Sequence, residues 1–396
     1  MKIARVAARW LHRDIPYERQ HVSDFGRVAS FDTTLVEIET DDGTTGWGEA
    51  KSAVGSAGSC AALVTVVEQE IGPAIVGRDP RNITSLWESM YNGSRDSHAA
   101  NAGRAMPVLG RRGLNVSAIS GVDMALWDML GRLLDVPVIQ LWGGPRQPTL
   151  PAYASGGWAG ADAIGDQLTS YCEAGFTSVK MRVGVMDGDV ATSVERVEAA
   201  RSGLGDGIDL MVDAHGTFAP ADAIAFARAV ESHRIRWFEE PVSADDRRGL
   251  ARVRAATSIP IAAGESEFTR FDFADLIERD SVDVLQPDLA ICGGPTEGRR
   301  IAALAETHQL ELAPHCWGSA LSFASGVTLA FASPSSRLIE YSLGANPFLH
   351  ELVDGAPVPV GGVVTTPTSP GFGVTPRADA VEEFSVPPER YNGGFT

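Results

Sequence analysis

The chain has 396 residues, of which 44% are apolar and 21% charged, and its formal net charge is −18. That mix is ordinary for a folded protein, and the length predicts two domains or one large barrel with an appendage. The negative charge disfavours nucleic acid and anionic membrane surfaces as partners, and no apolar run approaches a membrane span.

The start, MKIARVAARWLHRD, lacks a small-residue cleavage site, so no signal peptide is read. Four scattered cysteines (Cys60, Cys172, Cys292, Cys316) without CxxC spacing predict free thiols in a reducing cytoplasm. Residues 34–49, TLVEIETDDGTTGWGE, predict a hairpin: Val36 and Ile38 alternate with Glu37 and Glu39, and Asp42-Gly43 supplies the turn. Residues 61–72 and 80–92 predict helices, and 93–112 a loop carrying Arg95, His98, Arg104, Arg111 and Arg112. The run 116–135, VSAISGVDMALWDMLGRLLD, places Val116, Ile119, Leu126, Met129, Leu130 and Leu133 on one apolar helical face, and Pro137 follows its end.

From about residue 150 short β-rich runs alternate with Ala- and charge-rich helical segments: 150–155, 177–183, 209–215, 235–241, 259–265, 282–288, 310–316 and 337–342. Eight such units predict a parallel (β/α) barrel, because parallel strands need crossover helices. The Pro- and Gly-rich tail from about 350 is expected to pack back on the first domain. The predicted domains are 1–135, 136–350 and the returning segment 351–396.

Each strand closes on a chemically able side chain. Lys180 and Arg182 lie on the second, Asp213 and His215 end the third, and Glu239-Glu240 end the fourth. Glu265, Asp288, His315 and Glu340 follow on the next four. From Asp213 the steps are 26, 26, 23, 27 and 25 residues, about one βα unit each, so these groups share one rim. In such barrels the C-terminal rim carries the active site. A single strand-end acid could equally cap a helix or pair at the surface. Three in register, Asp213, Glu239 and Glu265, cannot all stay ionised without a cation, and an all-oxygen set suits Mg²⁺. Asp288, one unit before His315, can fix its tautomer and make it a general base. GLGDG (203–207) precedes a strand and is not GxGxxG, so a dinucleotide site is not supported; no P-loop or nucleophile elbow is present.

The segments SGVDMALWD…LWGG (120–144), Lys180-Met181-Arg182, the acidic trio, Asp288 in QPDLAICGG and His315 in APHCWG resemble, in order, the mandelate racemase-like branch of the enolase superfamily. The resemblance runs from the hairpin at 34–49 to NPFLHEL (346–352). It implies an α+β capping domain over a modified (β/α)7β TIM-type barrel, one Mg²⁺ per subunit held by Asp213, Glu239 and Glu265, and a homo-oligomer. It also implies a small-molecule carboxylate substrate that loses its α-proton, with Lys180 neutralising the carboxylate and Glu340 hydrogen-bonding it as a protonated acid. Glu240, beside a ligand, is expected to stand behind the ligands or in a structural ion pair and not to be a ligand itself. Residues 12–30 and 52–60 lie where the family places substrate-covering segments, and the loop 93–112 is expected to add basic contacts to a polyol acid.

Two residues depart from the racemase pattern. Arg182 stands where a second, basic lysine is usual, and a guanidinium is a poor base. His215 stands where Asn is common, and Asp-x-His-Gly resembles the family's sugar-acid dehydratases, in which this His protonates the departing β-hydroxyl. The resemblance therefore implies a Mg²⁺-dependent dehydratase of an aldonate or aldarate, giving a 2-keto-3-deoxy acid. Alternatives are a sugar-lactone cycloisomerase, a 2-epimerase or racemase, and a metal-dependent sugar-acid binding protein without turnover.

Overall fold

The computed structural model describes residues 1–52, 57–93 and 110–392. The N-terminal part is built on an antiparallel sheet of β1 (Ile3–Asp14), β4 (Ser30–Thr40) and β5 (Thr45–Ala50), in the order β1-β4-β5. The hairpin read at 34–49 is present, with Val36 opposite Gly48. Between β1 and β4 a small hairpin, β2 (His21–Ser23) and β3 (Gly26–Val28), projects from the sheet. Helix Leu114–Leu133 lies on the sheet, and Val36, Ile38, Leu86, Ile119, Val122 and Leu126 share its core. The contact is backbone-close: a Cβ on Gly48 would sit 2.0 Å from the Gly121 carbonyl oxygen, so only glycine fits there.

The helix read at 61–72 starts earlier and continues further. It runs as Ala57–Val66, a wider turn Val67–Ile71 and Gly72–Ile75. The second helix is Ile83–Asn92. Arg95, His98 and Arg104 lie outside the described residues. Arg111 and Arg112 pair with Glu70 and Asp272.

Eight parallel strands follow: β6 (Thr149–Ser155), β7 (Ser178–Arg182), β8 (Asp209–Asp213), β9 (Ile235–Glu239), β10 (Ile261–Ala263), β11 (Val284–Leu285), β12 (Glu311–Leu312) and β13 (Ile339–Ser342). They pair in chain order, and β13 pairs back on β6. The gap between β12 and β13 is bridged where the Leu312 amide donates to the Ser335 carbonyl, 3.0 Å. This is the (β/α)7β TIM-type barrel with an α+β capping unit that the sequence led us to expect. Most ladders are shorter than the apolar runs suggested. Pro241, Pro287 and Pro314 have no N–H to give, so pairing stops and the chain turns outward with its functional residues.

The lumen is filled, not open. Tyr153, Met211, Trp237, Ala262, Val284, Ala313 and Leu338 form a closed apolar plug. The Tyr153 and Trp237 rings meet edge to face at 5.4 Å. The tail beyond 351 touches both parts: Val363–Thr365 pairs with β6, and the Val386 amide donates to the Trp10 carbonyl. The four cysteines are free thiols. Among the described residues no helix is long and apolar enough to cross a membrane.

Buried Asp128 joins three segments. Its carboxylate accepts from the Trp47 amide (3.0 Å) on β5, the Phe372 amide (2.9 Å) in the tail and Arg132 Nε (2.7 Å). Replacing it strands all three donors. Asp128→Ala is expected to cost about 3 kcal/mol of stability, because one partner of a buried charged network is lost. Chemical denaturation checks this, and a loss under about 1 kcal/mol would show the carboxylate is dispensable.

Candidate active site

The rim gathers the nine residues singled out from the sequence. Asp213 ends β8 opposite Glu239, which ends β9. Glu265 follows β10 after Gly264, whose φ of +143° and crowding against Phe273 and Gln286 exclude a side chain. One carboxylate oxygen from each of Asp213, Glu239 and Glu265 lies within 4.8 Å of the other two. Beneath them the plug supplies donors: Trp237 Nε1 (3.1 Å) and Gln286 Nε2 (2.7 Å) both reach Glu239 Oε2.

Lys180 rises through this group. Its Nζ pairs with Asp213 (3.1 Å), Glu340 (3.0 Å) and, most closely, Glu239. Burial pushes its pKa down, but the three carboxylates overcome that and hold the ammonium protonated. One ammonium does not satisfy them all. Burial, with the neighbouring acids, pushes Glu239 up to about 8. Burial also raises Glu240, whose side chain faces Glu265, Asp213, Glu239 and Glu267; among the described residues it has no ion-pair partner.

Glu340 also departs from expectation. Burial pushes it up, but Lys180, His315 and the Cys316 amide (2.8 Å) hold it below the usual range, so it is a carboxylate and not the protonated acid inferred from the resemblance.

Two imidazoles flank the trio. His315 Nδ1 lies 2.7 Å from Asp288 Oδ2, and its Nε2 lies 3.4 Å from Glu265. His215 Nδ1 lies 2.9 Å from Asp24 Oδ2, and its Nε2 lies 3.4 Å from Asp213. His215 returns to the mouth because its backbone is left-handed, φ +46°, with its N–H on Asp213 Oδ1. Such a conformation in a residue other than glycine is sparse and clusters at functional sites. Burial lowers both rings, yet the acidic surroundings raise each to about 9: Asp213 and Asp24 act on His215, Glu265, Glu340 and Asp288 on His315.

Arg182 is clamped. Its Nη1 lies 3.2 Å from Asp24 and 3.0 Å from Asp187. That geometry makes it a fixed cation.

Two functional residues escaped the sequence reading. Lys51, just after β5, sends its Nζ to Asp288 (2.9 Å) and the Trp317 carbonyl (2.7 Å). Asp24 sits at the turn of the β2–β3 hairpin. Neither carries a local signal, since their partners are 237 and 191 residues away. Both border a cavity of about 410 Å³ over the rim, or contact residues that line it. His21, Phe31, Trp158 and Trp317 wall one side, and the His21 ring stacks on Trp158 at 4.0 Å.

The donor set suits a hard dication. Three carboxylates converge with oxygen atoms only, and Lys180 is shared among two of them and Glu340.

Residues 12–143 match the mandelate racemase / muconate lactonizing enzyme N-terminal domain, and 163–380 match the enolase C-terminal domain-like family. The chain is 34% identical to D-galactarolactone cycloisomerase of Agrobacterium fabrum (strain C58) over 98% of this chain and 100% of that one. It is 35% identical to D-galactonate dehydratase of Ralstonia pickettii (strain 12J) over 86% and 87%. Among solved structures it resembles the 3,6-anhydro-D-galactonate cycloisomerase from Zobellia galactanivorans (TM-score 0.83, 30% identity, 98% and 100% covered). It also resembles a Streptomyces coelicolor racemase with bound magnesium (TM-score 0.84, 31%, 97% and 100%). The chain belongs to the enolase superfamily, in its mandelate racemase-like sugar-acid branch.

Proposed function

We propose that this protein is a Mg²⁺-dependent sugar-acid dehydratase acting on an aldonate or aldarate, with one ion per subunit. The observation that carries the reading is the placement of two imidazoles on separate carboxylates, each with Nε2 within 3.4 Å of the acidic trio. Residues 1–135 with 351–396 are taken as the cap, and 136–350 as the barrel.

Asp213, Glu239 and Glu265 would hold the ion, which when bound supplies Lewis-acid stabilisation of a carboxylate gaining negative charge. His315 Nε2 accepts the proton from the carbon α to the carboxylate, and Asp288 keeps the ring's Nδ1–H in place. The released electron pair enters the carboxylate, where Lys180 balances the charge. The pair returns to form the C2–C3 double bond as the β-hydroxyl leaves. His215 Nε2 gives that oxygen a proton, so water departs and not hydroxide. The enol product takes a proton at carbon 3 and becomes a 2-keto-3-deoxy acid. Arg182, always protonated, offers no second base, which weighs against racemisation.

A sugar-lactone cycloisomerase is the second reading, favoured by the aromatic wall of His21, Trp158 and Trp317. Flat aromatic faces suit the apolar side of a ring better than an extended polyol. The reactions separate in D₂O with Mg²⁺ across a panel of stereoisomeric aldonates, aldarates and their lactones. A dehydratase yields a carbonyl product labelled at carbon 3, a cycloisomerase opens a lactone without net loss of water, and an epimerase labels carbon 2. No carbonyl product from any acid on the panel sinks the dehydratase reading.

His315→Asn is expected to abolish α-proton exchange and turnover, by at least about 100-fold. Binding of the same acid by calorimetry should survive. Unchanged turnover would remove His315 from the role of base.

Ion binding should release protons. Glu239 pushed up to about 8, and His315 to about 9, are protonated at pH 7 in the ion-free protein, and the proposed roles of ligand and base need both deprotonated. A dication favours their deprotonated forms, so uptake of Mg²⁺ at pH 7 liberates protons, and the release fades as pH rises past 9. Calorimetry in buffers of different ionisation enthalpy reads the count, and zero release at pH 7 contradicts the assignment.

A further inference from the structure

We propose that the β2–β3 hairpin of the cap supplies a positioning residue, Asp24, that fixes the His215 ring as proton donor, so the acid is assembled only when the hairpin is docked on the barrel. The inference deepens the dehydratase reading and rests on it for the role of His215.

Asp24 occupies the turn of a hairpin whose next residue, Phe25, is 57% exposed. Yet the Asp24 side chain is fully buried. Both of its oxygens are engaged: Oδ2 faces His215 Nδ1 at 2.9 Å, and Oδ1 accepts from Arg182 Nη1 and the Met186 amide, each at 3.2 Å. The Phe25 ring meets the His215 ring edge-on at 5.5 Å. With Nδ1 tied down, Nε2 is the nitrogen turned toward Asp213 and the cavity. Without that tie the imidazole can rotate and exchange its two nitrogens.

Each strand of the hairpin is three residues long, and so short a ribbon is marginal by itself. Its anchors include the Asp24 contacts and the stack of His21 on Trp158. The base side is different: His315 takes its carboxylate, Asp288, from the barrel. Removing Asp24 should therefore disable loss of the β-hydroxyl and spare removal of the α-proton.

The test uses full-length Mg²⁺-loaded enzyme with D-galactonate and D-galactarate in D₂O. Asp24→Ala is expected to lower dehydration roughly 10–100-fold. Exchange of the α-proton, followed by ¹H NMR, should persist. His215→Asn should behave alike, and the double variant should be no worse than either single one. Equal loss of exchange and dehydration, or additive losses in the double variant, overturns the proposal. A substrate-free arm uses ¹⁵N-histidine enzyme, with His215 assigned by its absence in His215→Asn. The His215 ring nitrogens should be distinct in the wild type and move toward each other in Asp24→Ala, and unchanged resonances overturn the positioning role. A wild type that neither exchanges nor dehydrates the two acids speaks against the dehydratase reading alone, and the ¹⁵N arm then decides for Asp24.

Discussion

Crowded negative charge governs this rim. Asp213, Glu239, Glu265 and Glu340 converge around one ammonium, Lys180, above an apolar floor. Like charges at such spacing repel strongly in a low dielectric, and the protein offsets this only in part. Trp237, Gln286 and the amides of His215 and Cys316 each give a hydrogen bond to one of these acids. The remainder appears as raised basicity: Glu239 resists ionising, and both imidazoles hold their protons. A dication at the trio reverses that field. On the proposed reading it would free His315 to act as a base, so ion affinity and catalytic competence would arise from the same electrostatic deficit.

The two imidazoles share a design. Each is tied through Nδ1 to a buried aspartate, and each aspartate is also held by a cationic side chain: Lys51 for Asp288, Arg182 for Asp24. For Asp288 the cation favours the ionised carboxylate. Burial pushes Asp288 up, but Lys51 and His315 take it down to about 2. The supports come from both parts of the molecule. Lys51 reaches down from the cap to Asp288 beside His315, and Asp24 reaches down from the cap to His215. The cap therefore supplies partners to side chains at the barrel rim.

Much of this was legible in the amino-acid pattern. Strand-end acids at regular intervals of one βα unit placed Asp213, Glu239, Glu265, Asp288, His315 and Glu340 on one rim, and the coordinates bring them together. Periodicity reports which unit a residue belongs to, because each unit must cross the sheet once. It does not report which cap residue hangs over that unit. Asp24 and Lys51 were invisible for this reason: nothing within ten residues of either marks its partner. The ionisation of Glu340 was misjudged because it depends on Lys180 lying 3.0 Å away, a distance set by the barrel's closure of β13 on β6 and not by local sequence. Of the two places expected for Glu240, behind the ligands or in an ion pair, the structure shows the first. Its left-handed backbone, φ +37°, turns it among acids and not toward a cation.

Arg182 shows how one substitution can narrow a chemistry. A lysine at this point on β7 could lose its proton and serve the opposite face of the α-carbon. A guanidinium cannot, and here it is also held by Asp24 and Asp187, with Asp187 in turn pinned by buried Arg196. A base on one face alone suits an elimination or ring opening, in which the carbanion is discharged by expelling oxygen. It suits inversion of the same carbon poorly, because that requires reprotonation from the other side. The cation that replaces the second base also steadies Asp24, and through it His215. The residue that stands in place of a second base therefore supports, through Asp24, the ring proposed to protonate the departing hydroxyl.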